Sequence, residues 1–421
     1  MILNLLLTGN ELMTGDTVDS NSAMIARYMA THGWNVRKKL TVGDDLTDLI
    51  DAMHLLARDC DVLLINGGLG PTVDDLTAQA LANACGVALA ENAIAMQHLE
   101  QWCGRIGIAI NAANRKQAIL PAGCEIVANP VGSAVGFSMQ LGQCLVICTP
   151  GVPRELDAML EQEIMPTLQR NFPNSGASVQ RFTLFGVGES GLQQKISDAI
   201  PDWPADVELG FRVSFPQLEL KLSTANAAAR DSVKKIWPRI ETIIGDCLLG
   251  EGATTLPQLL VELLRERGKK ITVAESCTGG LIAASLTQIP GASAVFDAGF
   301  VTYSNAMKQA LLQVDENTLR TDGAVSESVV HEMALGALKH SQADYAIAVS
   351  GVAGPDGGTE EKPVGTVWIA WGTADHLKTK RLHVRFKRID FQKYVTWAGL
   401  DLIRRDLLGI TGEPNYFGQR K

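Results

Sequence analysis

The chain of 421 residues has few aromatic residues, no surplus of basic charge and no long apolar run. Aromatic residues make up 5% of it, which is few for a module that binds nucleic acid by base stacking. The net charge is −9, so no overall positive field would attract nucleic acid or anionic lipid. Because no stretch of about 20 apolar residues occurs, no membrane span is expected. We therefore predict no membrane partner and no nucleic-acid partner.

Paired metal-binding motifs are also missing. The eight cysteines form no C-x-x-C pair and the seven histidines form no H-x-x-x-H pair, so a zinc site of either kind is not expected. The apolar segment 1–7 lacks a basic region before it and is interpreted as a strand, not a signal peptide. Reduced cysteines, most of them in the core, are typical of a cytoplasmic protein, and we predict that localisation.

Apolar residues and glycines are abundant. Apolar residues make up 46% of the chain, and its length is typical of about three domains. The 40 glycines follow no Gly-X-Y period and indicate tight turns and sites lined by backbone. We predict an α/β protein: two three-layer α/β domains with mainly parallel sheets, 1–168 and 253–421, joined by a small ferredoxin-like α+β domain, 169–252.

The order of strand and helix patterns carries this fold prediction. In the first domain, apolar strands alternate with amphipathic helices and are followed by Gly/Pro loops, as in a parallel sheet covered on both faces. Residues 171–176 resemble a linker, and the segment after it has the β-α-β-β-α-β order of a ferredoxin-like domain. A second alternating α/β pattern begins near residue 255. Ligands of such sheets bind beyond the carboxyl ends of the strands, where the glycine loops fall.

The first candidate site surrounds the loop 67–72, Gly-Gly-Leu-Gly-Pro-Thr. Its glycines allow a phosphate to approach the backbone, and a helix predicted from residue 74 to 84 would offer free N–H groups. Acidic residues on neighbouring loops suggest a divalent cation that bridges a phosphate. The alternative is that the acids only cap the helix. The acids concerned are Glu11, Asp19, Asp44, Asp45, Asp74 and Asp75, and Asn21 is expected to face the same rim.

The second candidate site is the segment 274–280, Ala-Glu-Ser-Cys-Thr-Gly-Gly. Ser276 lies between a strand and a glycine-led helix, where N–H groups could stabilise an oxyanion, although a plain helix cap is the alternative. Cys277 is the rival nucleophile. No Ser-His-Asp arrangement is visible, because His331 and His340 fall in a helical stretch. Lys308 could act as the base if burial lowered its pKa; a solvated surface lysine is the alternative.

These motifs resemble the CinA family along nearly the whole chain. In the first domain the matching segments are Thr8–Leu12, Asp19–Asn21, Gly67–Thr72, Asp74–Thr77, Pro130–Ala134 and Pro150–Glu155. In the last domain they are AESCTGG, FVTYSNAMK, GAVSE and VSGVAGPDGGTEEKPVGTVW.

For the first domain the resemblance implies a molybdopterin-binding (MogA/MoaB-like) fold and a metal-dependent ADP-ribose pyrophosphatase that needs Mg, Mn or Co. Asp44 and Asp75 match the acidic positions of the molybdopterin-binding relatives. Asn10 replaces the usual acid of TGDEL, and Val135 stands where the family often has proline. Predicted metal ligands are Glu11, Asp44, Asp74 and Asp75, and predicted substrate contacts are Gly67, Gly68, Gly70 and Thr72. The alternative is a pterin or nucleotide binder without hydrolysis.

For the last domain the resemblance implies a nicotinamide-nucleotide amidase without a cofactor. It would convert nicotinamide mononucleotide to nicotinate mononucleotide and ammonia, with Ser276 as nucleophile, Lys308 as base and Tyr303 in support. Predicted substrate contacts are Thr278, Gly279, Gly280, Ser350, Gly351, Gly354, Gly358 and Arg388.

One segment of the last domain departs from the family pattern. At 386–390 the usual F-[ST]-G-[DN]-R is replaced, so Arg388 or Lys393 would have to hold the substrate phosphate. The whole chain would be a bifunctional hydrolase of pyridine-nucleotide recycling, and the resemblance suggests a homodimer. A basic patch at 378–388 is the only local feature that favours nucleic acid.

Overall fold

The computed structural model describes residues 1–172, 177–226 and 228–418. They form two compact units, Met1–Val179 with Ser223–Asp231, and Gln180–Leu222 with Ser232–Lys421. Most of the predicted linker, residues 173–176, lies outside the described residues. The division into three domains at residues 168 and 252 stays a prediction.

The first unit is built on a six-stranded sheet. Its strands are β1 Leu3–Thr8, β2 Val36–Val42, β3 Val62–Asn66, β6 Glu125–Val127, β7 Gly136–Leu141 and β8 Cys144–Thr149, and a separate two-stranded sheet is formed by β4 Leu89–Glu91 and β5 Ile119–Pro121. Its helices are α1 Asn10–Thr14, α2 Asn21–Thr31, α3 Leu46–Ala57, α4 Thr77–Cys85, α5 Ala93–Ile106, α6 Ala112–Lys116, α7 Pro153–Met159 and α8 Met165–Asn171, with a π-helical turn at Leu160–Ile164.

The strand order in this sheet is β2-β1-β3-β8-β7-β6. Strands β1, β2, β3 and β8 are parallel, whereas β7 and β6 add an antiparallel edge that the sequence did not reveal. Alternate residues of β1 enter different cores: Leu3 and Leu5 pack with Ile25 on one face, and Leu6 packs with Leu49 on the other. The predicted three-layer arrangement is confirmed.

The second unit begins with the predicted β-α-β-β-α-β order, although the first two residues of β9, the last two of β11 and the first three of α10 belong to the first unit. The elements are β9 Ser178–Leu184, α9 Glu189–Ala199, β10 Val207–Ser214, β11 Gln217–Thr224, α10 Ala229–Ile244 and β12 Leu248–Glu251, with a 3-10 turn at Gly245–Cys247. The strand order β10-β11-β9-β12 places the first and third strands of the motif in the centre. Since this is the strand order of the ferredoxin-like fold, that prediction is confirmed.

The remainder of the second unit is another layered α/β structure. Its strands are β13 Ile271–Glu275, β14 Phe296–Val301, β15 Tyr345–Gly351, β16 Thr366–Thr373 and β17 His376–His383. Its helices are α11 Leu256–Glu266, α12 Leu281–Thr287, α13 Asn305–Leu312, α14 Glu316–Thr321, α15 Glu327–Ser341, α16 Arg388–Leu408 and α17 Asn415–Gly418, with a 3-10 turn at Ala292–Ala294.

The sheet order here is β14-β13-β15-β16-β17. Strands β13, β14 and β15 are parallel, and β16 and β17 continue the sheet in antiparallel fashion. Val273 and Ala274 point into separate cores, so helices cover both faces. The α/β class is confirmed. The antiparallel strands β16 and β17 were not predicted from the sequence. None of the described helices has the length and apolar composition needed to cross a bilayer.

Candidate functional site

Ser276 and Lys308 meet at the carboxyl ends of β13 and β14. Ser276 directly follows β13, and Lys308 lies in α13, which begins shortly after β14. Lys308 Nζ donates to Ser276 Oγ over 3.1 Å and to the carbonyl oxygen of Thr302 over 2.8 Å. The Lys308 side chain is only 1% exposed, and this burial lowers its pKa. The alternative of a solvated surface lysine is therefore wrong.

The turn after Ser276 is organised by a carboxylate that the sequence reasoning did not single out. Glu275 is fully buried and accepts hydrogen bonds from Thr278 Oγ1 at 2.6 Å and from the amides of Gly280, Ile282 and Ala283 at 3.0, 3.0 and 2.8 Å. Glu275 thus occupies the N-terminus of α12. The prediction that this helix start is free to hold an oxyanion is wrong, because its amides already have an acceptor. The signal available in the sequence for this role was an acidic residue at the end of a buried strand.

Two other amides lie beside Ser276. Within the described residues, the backbone N–H groups of Cys277 and Thr278 donate to no backbone oxygen. Gly279 and Gly280 have φ angles of 65° and 99°, a conformation that glycine adopts without strain and that allows the chain to turn into α12. The turn therefore provides two donors next to Ser276, the N–H groups of Cys277 and Thr278, in place of the amides at the helix start.

Cys277 is a poor rival nucleophile in this environment. Its side chain is buried in the core, and burial raises the pKa of its thiol to about 12. A thiol reacts as its thiolate, and a raised pKa leaves little thiolate near neutral pH. The carbonyl oxygen of Cys277 accepts a hydrogen bond from Gln392 Nε2 at 2.9 Å, which ties the turn to α16.

Arg388 joins two of the other predicted site residues. Its Nη1 donates to the carbonyl oxygen of Gly354 over 2.9 Å, and its Nη2 donates to the hydroxyl of Tyr303 over 2.7 Å. Tyr303 is 60% exposed, and its hydrogen bond is to Arg388 and not to the Ser276–Lys308 pair. Of the two basic candidates, Arg388 therefore lies among the predicted site residues, whereas Lys393 is an exposed residue of α16.

The glycines of the 351–358 segment stand where backbones pass closely. A Cβ on Gly351 would lie 2.7 Å from the Thr366 carbonyl oxygen, and one on Gly358 would lie 2.7 Å from the Val364 nitrogen. Ser350, which is buried, donates to the Ala324 carbonyl oxygen over 2.6 Å. These contacts shape the loop beside the carboxyl end of β15. Its contact with a nucleotide stays a prediction.

Two of the six basic residues of the patch 378–388 form ion pairs. Lys378 forms an ion pair with Asp406 at 2.7 Å, and Lys380 forms one with Glu413 at 3.0 Å. Paired cations have less to offer to phosphates of nucleic acid.

In the first unit, the predicted acids and the glycine loop line one cavity of about 410 Å³. The ends of β1, β3 and β8 and the loops that follow them form this cavity, which we call the rim cavity. Its predicted lining residues are Glu11, Asp44, Gly67, Gly68, Gly70, Thr72, Asp74 and Asp75. The structure thus brings together the predicted metal ligands and the glycine loop. Three residues that the sequence also placed at this rim, Asp19, Asn21 and Asp45, are not among the lining residues. Asp45 instead caps α3, as the alternative reading of the acids suggested.

Asp44 is held by the first loop. Its two carboxylate oxygens accept from Thr8 Oγ1 at 2.7 Å and from the Asn10 amide at 2.9 Å. In return, Asn10 Oδ1 accepts from the Asp44 amide at 3.1 Å. Asn10 therefore links the two loops.

Asp75 closes a turn within the glycine loop. Its Oδ2 accepts from the Thr72 amide at 2.8 Å and from Thr72 Oγ1 at 2.5 Å. The hydrogen bond of Asp74 with Thr72 lowers the pKa of that carboxyl. Both acids precede α4, which begins at Thr77 and not near residue 74, so the prediction that they lie in its first turn is wrong. The turn around Thr72 uses these residues before the helix begins.

The two glycines after β3 lie against neighbouring backbone. Gly67 has a φ of 113°, and a Cβ there would approach the Thr8 carbonyl oxygen to 2.5 Å. Thr77 Oγ1 donates to the Gly67 carbonyl oxygen over 2.9 Å, and the Thr77 amide donates to that of Gly68 over 3.2 Å. A larger residue at either glycine would displace the loop.

The rim cavity supplies hard oxygen ligands, which suit Mg²⁺ or Mn²⁺. Among the described residues, however, no three acidic, histidine or cysteine side chains converge as a metal cluster. Mg²⁺ is often bound by one or two carboxylates together with substrate phosphates. The donor set therefore fits a metal shared with a phosphorylated ligand. Asp44 and Asp75 are the carboxylates that would hold it.

Two further residues of the rim cavity were not predicted. Glu155, from α7, accepts from Asn129 Nδ2 at 2.8 Å, and burial raises the pKa of its carboxyl. Gln117 follows α6 and lines the same cavity. Glu155 lies in the segment Pro150–Glu155 that resembles the CinA family. Nothing in the local pattern around Gln117 indicated a place near the glycine loop.

The comparison with known proteins agrees with this two-part organisation. Residues 4–170 match the family model described as a probable molybdopterin binding domain, and residues 253–407 match the model of the CinA C-terminal domain. The chain is thus an α/β protein that combines these two domain types.

Full-length relatives cover almost the entire chain. A CinA-like protein of Colwellia psychrerythraea is 50% identical over 99% of this chain and 98% of its own length. One of Shewanella woodyi is 41% identical over 97% of this chain and 96% of its own. A solved CinA superfamily protein of Klebsiella pneumoniae is 38% identical, covers 37% of this chain and 96% of its own, and has a TM-score of 0.36. The chain belongs to the CinA family.

Proposed function

We propose that the last domain is a nicotinamide-nucleotide amidase that hydrolyses the carboxamide of nicotinamide mononucleotide. The observation that carries this proposal is the 3.1 Å contact between Ser276 Oγ and a lysine amine that is buried and has a lowered pKa. A neutral amine at that distance can accept the hydroxyl proton, which activates serine as a nucleophile.

The first half of the reaction forms an acyl-enzyme. Lys308 Nζ takes the hydroxyl proton while Ser276 Oγ bonds to the carboxamide carbon and the C=O electron pair moves onto oxygen. The amides of Cys277 and Thr278 are the donors available to that oxyanion. The oxyanion then collapses, the C–N bond breaks, and the Lys308 ammonium gives its proton to the leaving nitrogen, which departs as ammonia.

The second half returns the enzyme to its starting state. Lys308 takes a proton from a water molecule, whose oxygen attacks the acyl carbon. Collapse of this second oxyanion breaks the bond to Ser276 Oγ, and Lys308 returns the proton to that oxygen. Arg388 is the cation available near Tyr303 to hold the nucleotide phosphate, because its side chain is fixed by Gly354 and Tyr303.

The test is ammonia release from nicotinamide mononucleotide by the full chain. Loss of the hydroxyl in Ser276→Ala is expected to lower the rate by about 10⁴-fold or more, as for other nucleophiles that act within a catalytic unit. Cys277→Ala is the matched control and should stay within a few-fold of wild type. Equal rates in wild type and Ser276→Ala would refute the assignment.

We also propose that the first domain hydrolyses ADP-ribose to AMP and ribose 5-phosphate with a divalent metal. The supporting observation is the convergence of four acids on the glycine loop in one cavity. A bound metal would stabilise the negative charge that develops on the diphosphate. Asp44 and Asp75 would position it, and the loop backbone at Gly68 and Gly70 would contact phosphate oxygens.

A second candidate is a pterin or nucleotide binder that performs no hydrolysis. The observation that favours it is that both carboxylates already accept hydrogen bonds from the protein, Asp44 from the first loop and Asp75 from Thr72 of its own loop. Incubation of the full chain with ADP-ribose and Mg²⁺, Mn²⁺ or Co²⁺, followed by chromatography for AMP, separates the two. AMP that forms only with metal supports hydrolysis, and no AMP with any of the three supports the binder.

A further inference from the structure

A second, smaller cavity adjoins the rim cavity on the far side of the glycine loop. Its volume is about 180 Å³, and it shares Gly68, Leu69, Gly70, Asp75 and Gln117 with the rim cavity. The rest of its lining is mostly apolar and includes Ala78, Leu89, Ile119, Leu120 and Val135. A polar, acidic cavity therefore lies beside an apolar one, and a ligand with a charged phosphate part and a flat ring has use for both.

Gln117 is the polar residue that connects the two cavities. Its side chain is 8% exposed, and within the described residues its buried Oε1 has no hydrogen-bond partner. Its backbone is fixed at the end of α6, where its amide donates to the Asn114 carbonyl oxygen over 3.0 Å. Buried polar atoms are nearly always paired, and an exception needs an explanation. A ligand group in the cavity would provide the missing partner.

The shape and chemistry of the small cavity indicate which ring it accepts. An apolar cavity of roughly 150 Å³ accommodates a benzene ring, so about 180 Å³ suits a somewhat larger flat ring system. A glutamine amide presents one acceptor and one donor side by side. Adenine offers the matching pair, an amino donor next to a ring-nitrogen acceptor, and this pairing with glutamine recurs in adenine recognition.

We propose that the small cavity binds the adenine ring of a nucleotide and that Gln117 is the residue that selects adenine. Oε1 would accept from the 6-amino group, and Nε2 would donate to the adjacent ring nitrogen. The proposal rests on the proposed function of the first domain, because the phosphate would lie in the rim cavity. It does not depend on hydrolysis, since AMP alone contains every group involved.

Binding of two nucleotides tests the proposal on the full chain in Mg²⁺ buffer. The probes are AMP and purine riboside 5′-monophosphate, which lacks the 6-amino group, and affinities are measured by titration calorimetry. Wild type should prefer AMP by about tenfold, within the range found for paired contacts to a base. Gln117→Met keeps the side-chain length but removes both polar groups, and should bind the two probes equally. Gln101→Met, at an exposed position of α5, is the matched control and should retain the preference.

The possible outcomes separate this inference from the proposed hydrolysis. If wild type binds neither probe, or prefers neither, the adenine assignment is refuted. If Gln117→Met retains the AMP preference, the role of Gln117 is refuted even if ADP-ribose is hydrolysed. If the preference disappears in Gln117→Met but wild type forms no AMP from ADP-ribose, hydrolysis fails and the adenine site stands. Gln117→Glu replaces the donor with a second acceptor oxygen and adds a negative charge. It should lower AMP affinity, and it guards against a folding defect in the methionine variant.

Discussion

The two candidate sites differ in how much of their chemistry the chain supplies. In the last domain, Ser276 and Lys308 are already within 3.1 Å, and the lysine is buried. In the first domain, Asp44 is held by the first loop and Asp75 by its own loop, and no metal cluster forms among the described side chains. The site of the last domain is therefore organised for proton transfer, whereas the site of the first domain depends on a ligand and its metal for completion.

The electrostatic surroundings explain this difference. The hydrogen-bond partners of Lys308 are neutral, a hydroxyl and a carbonyl oxygen, so burial lowers its pKa with no carboxylate to offset it. The rim cavity instead gathers several acids in a solvent-accessible place, where a cation relieves their repulsion. A buried base and an open acidic rim respond to mutation, pH and metal in different ways, which makes the comparison testable.

After loss of the Ser276 hydroxyl, the largest expected effect comes from removing the buried amine. Lys308→Met should lower the rate of ammonia release from nicotinamide mononucleotide by about 10²- to 10⁴-fold, the usual range for a general base. Its midpoint of thermal unfolding should be unchanged or higher, because an apolar chain replaces a buried amine. AMP formation from ADP-ribose is the internal control. A rate within tenfold of wild type would show that Lys308 is not the base.

The pH dependence of the amidase follows from the same group. The neutral fraction of Lys308 increases as pH rises, so kcat/KM should increase about tenfold per unit until pH passes the lowered pKa and then level off. Between that pKa and the usual value for lysine, the unfolded state binds more protons, so the free energy of unfolding should also rise with pH. Both trends should disappear in Lys308→Met; a flat wild-type profile would contradict the proposed base.

The sequence predicted the members of the C-terminal site but not their environment. The strings around Ser276 and Lys308 identified both residues, and the carboxyl ends of parallel β13 and β14 bring them together across 32 residues. Burial of the amine depends on packing from several elements, which no local pattern encodes. For the same reason, the capture of the α12 amides by Glu275 went unpredicted.

In the first domain, the predicted metal ligands and glycine-loop residues lie in one cavity, because the loops follow neighbouring strands of a predicted sheet. The error at Asp74 and Asp75 arose from a local competition: hydrogen bonds with Thr72 form a turn where the sequence suggested helix. Gln117 follows a short helix far from the glycine loop in sequence, so only the tertiary structure places it there.

A smaller effect is expected when a rim acid loses its charge. Asp75→Asn keeps an oxygen that can accept from Thr72, so the turn should persist while one negative charge is lost. AMP formation from ADP-ribose should fall by about 10- to 100-fold and need more Mg²⁺ for half-maximal rate, as for loss of a ligand contact. Ammonia release by the last domain should not change. An unaltered Mg²⁺ requirement would remove Asp75 from the metal site.

The smallest effect concerns Asn10, where the family resemblance leads us to expect an acid. In the wild type, Asn10 Oδ1 accepts from the Asp44 amide at 3.1 Å. Asn10→Asp retains an oxygen that can accept this hydrogen bond and adds one negative charge near Asp44. Two unit charges about 4 Å apart interact by about 1 kcal/mol in water, which corresponds to about fivefold in affinity. Mn²⁺ binding, followed by electron paramagnetic resonance, should tighten by about that factor. Asn83→Asp, at an exposed position of α4, adds the same charge elsewhere and should leave Mn²⁺ affinity unchanged. Equal tightening in both variants would mean that the net charge of the protein, and not the rim, governs Mn²⁺ affinity. No change in Asn10→Asp would mean that Asn10 serves only to join the loops.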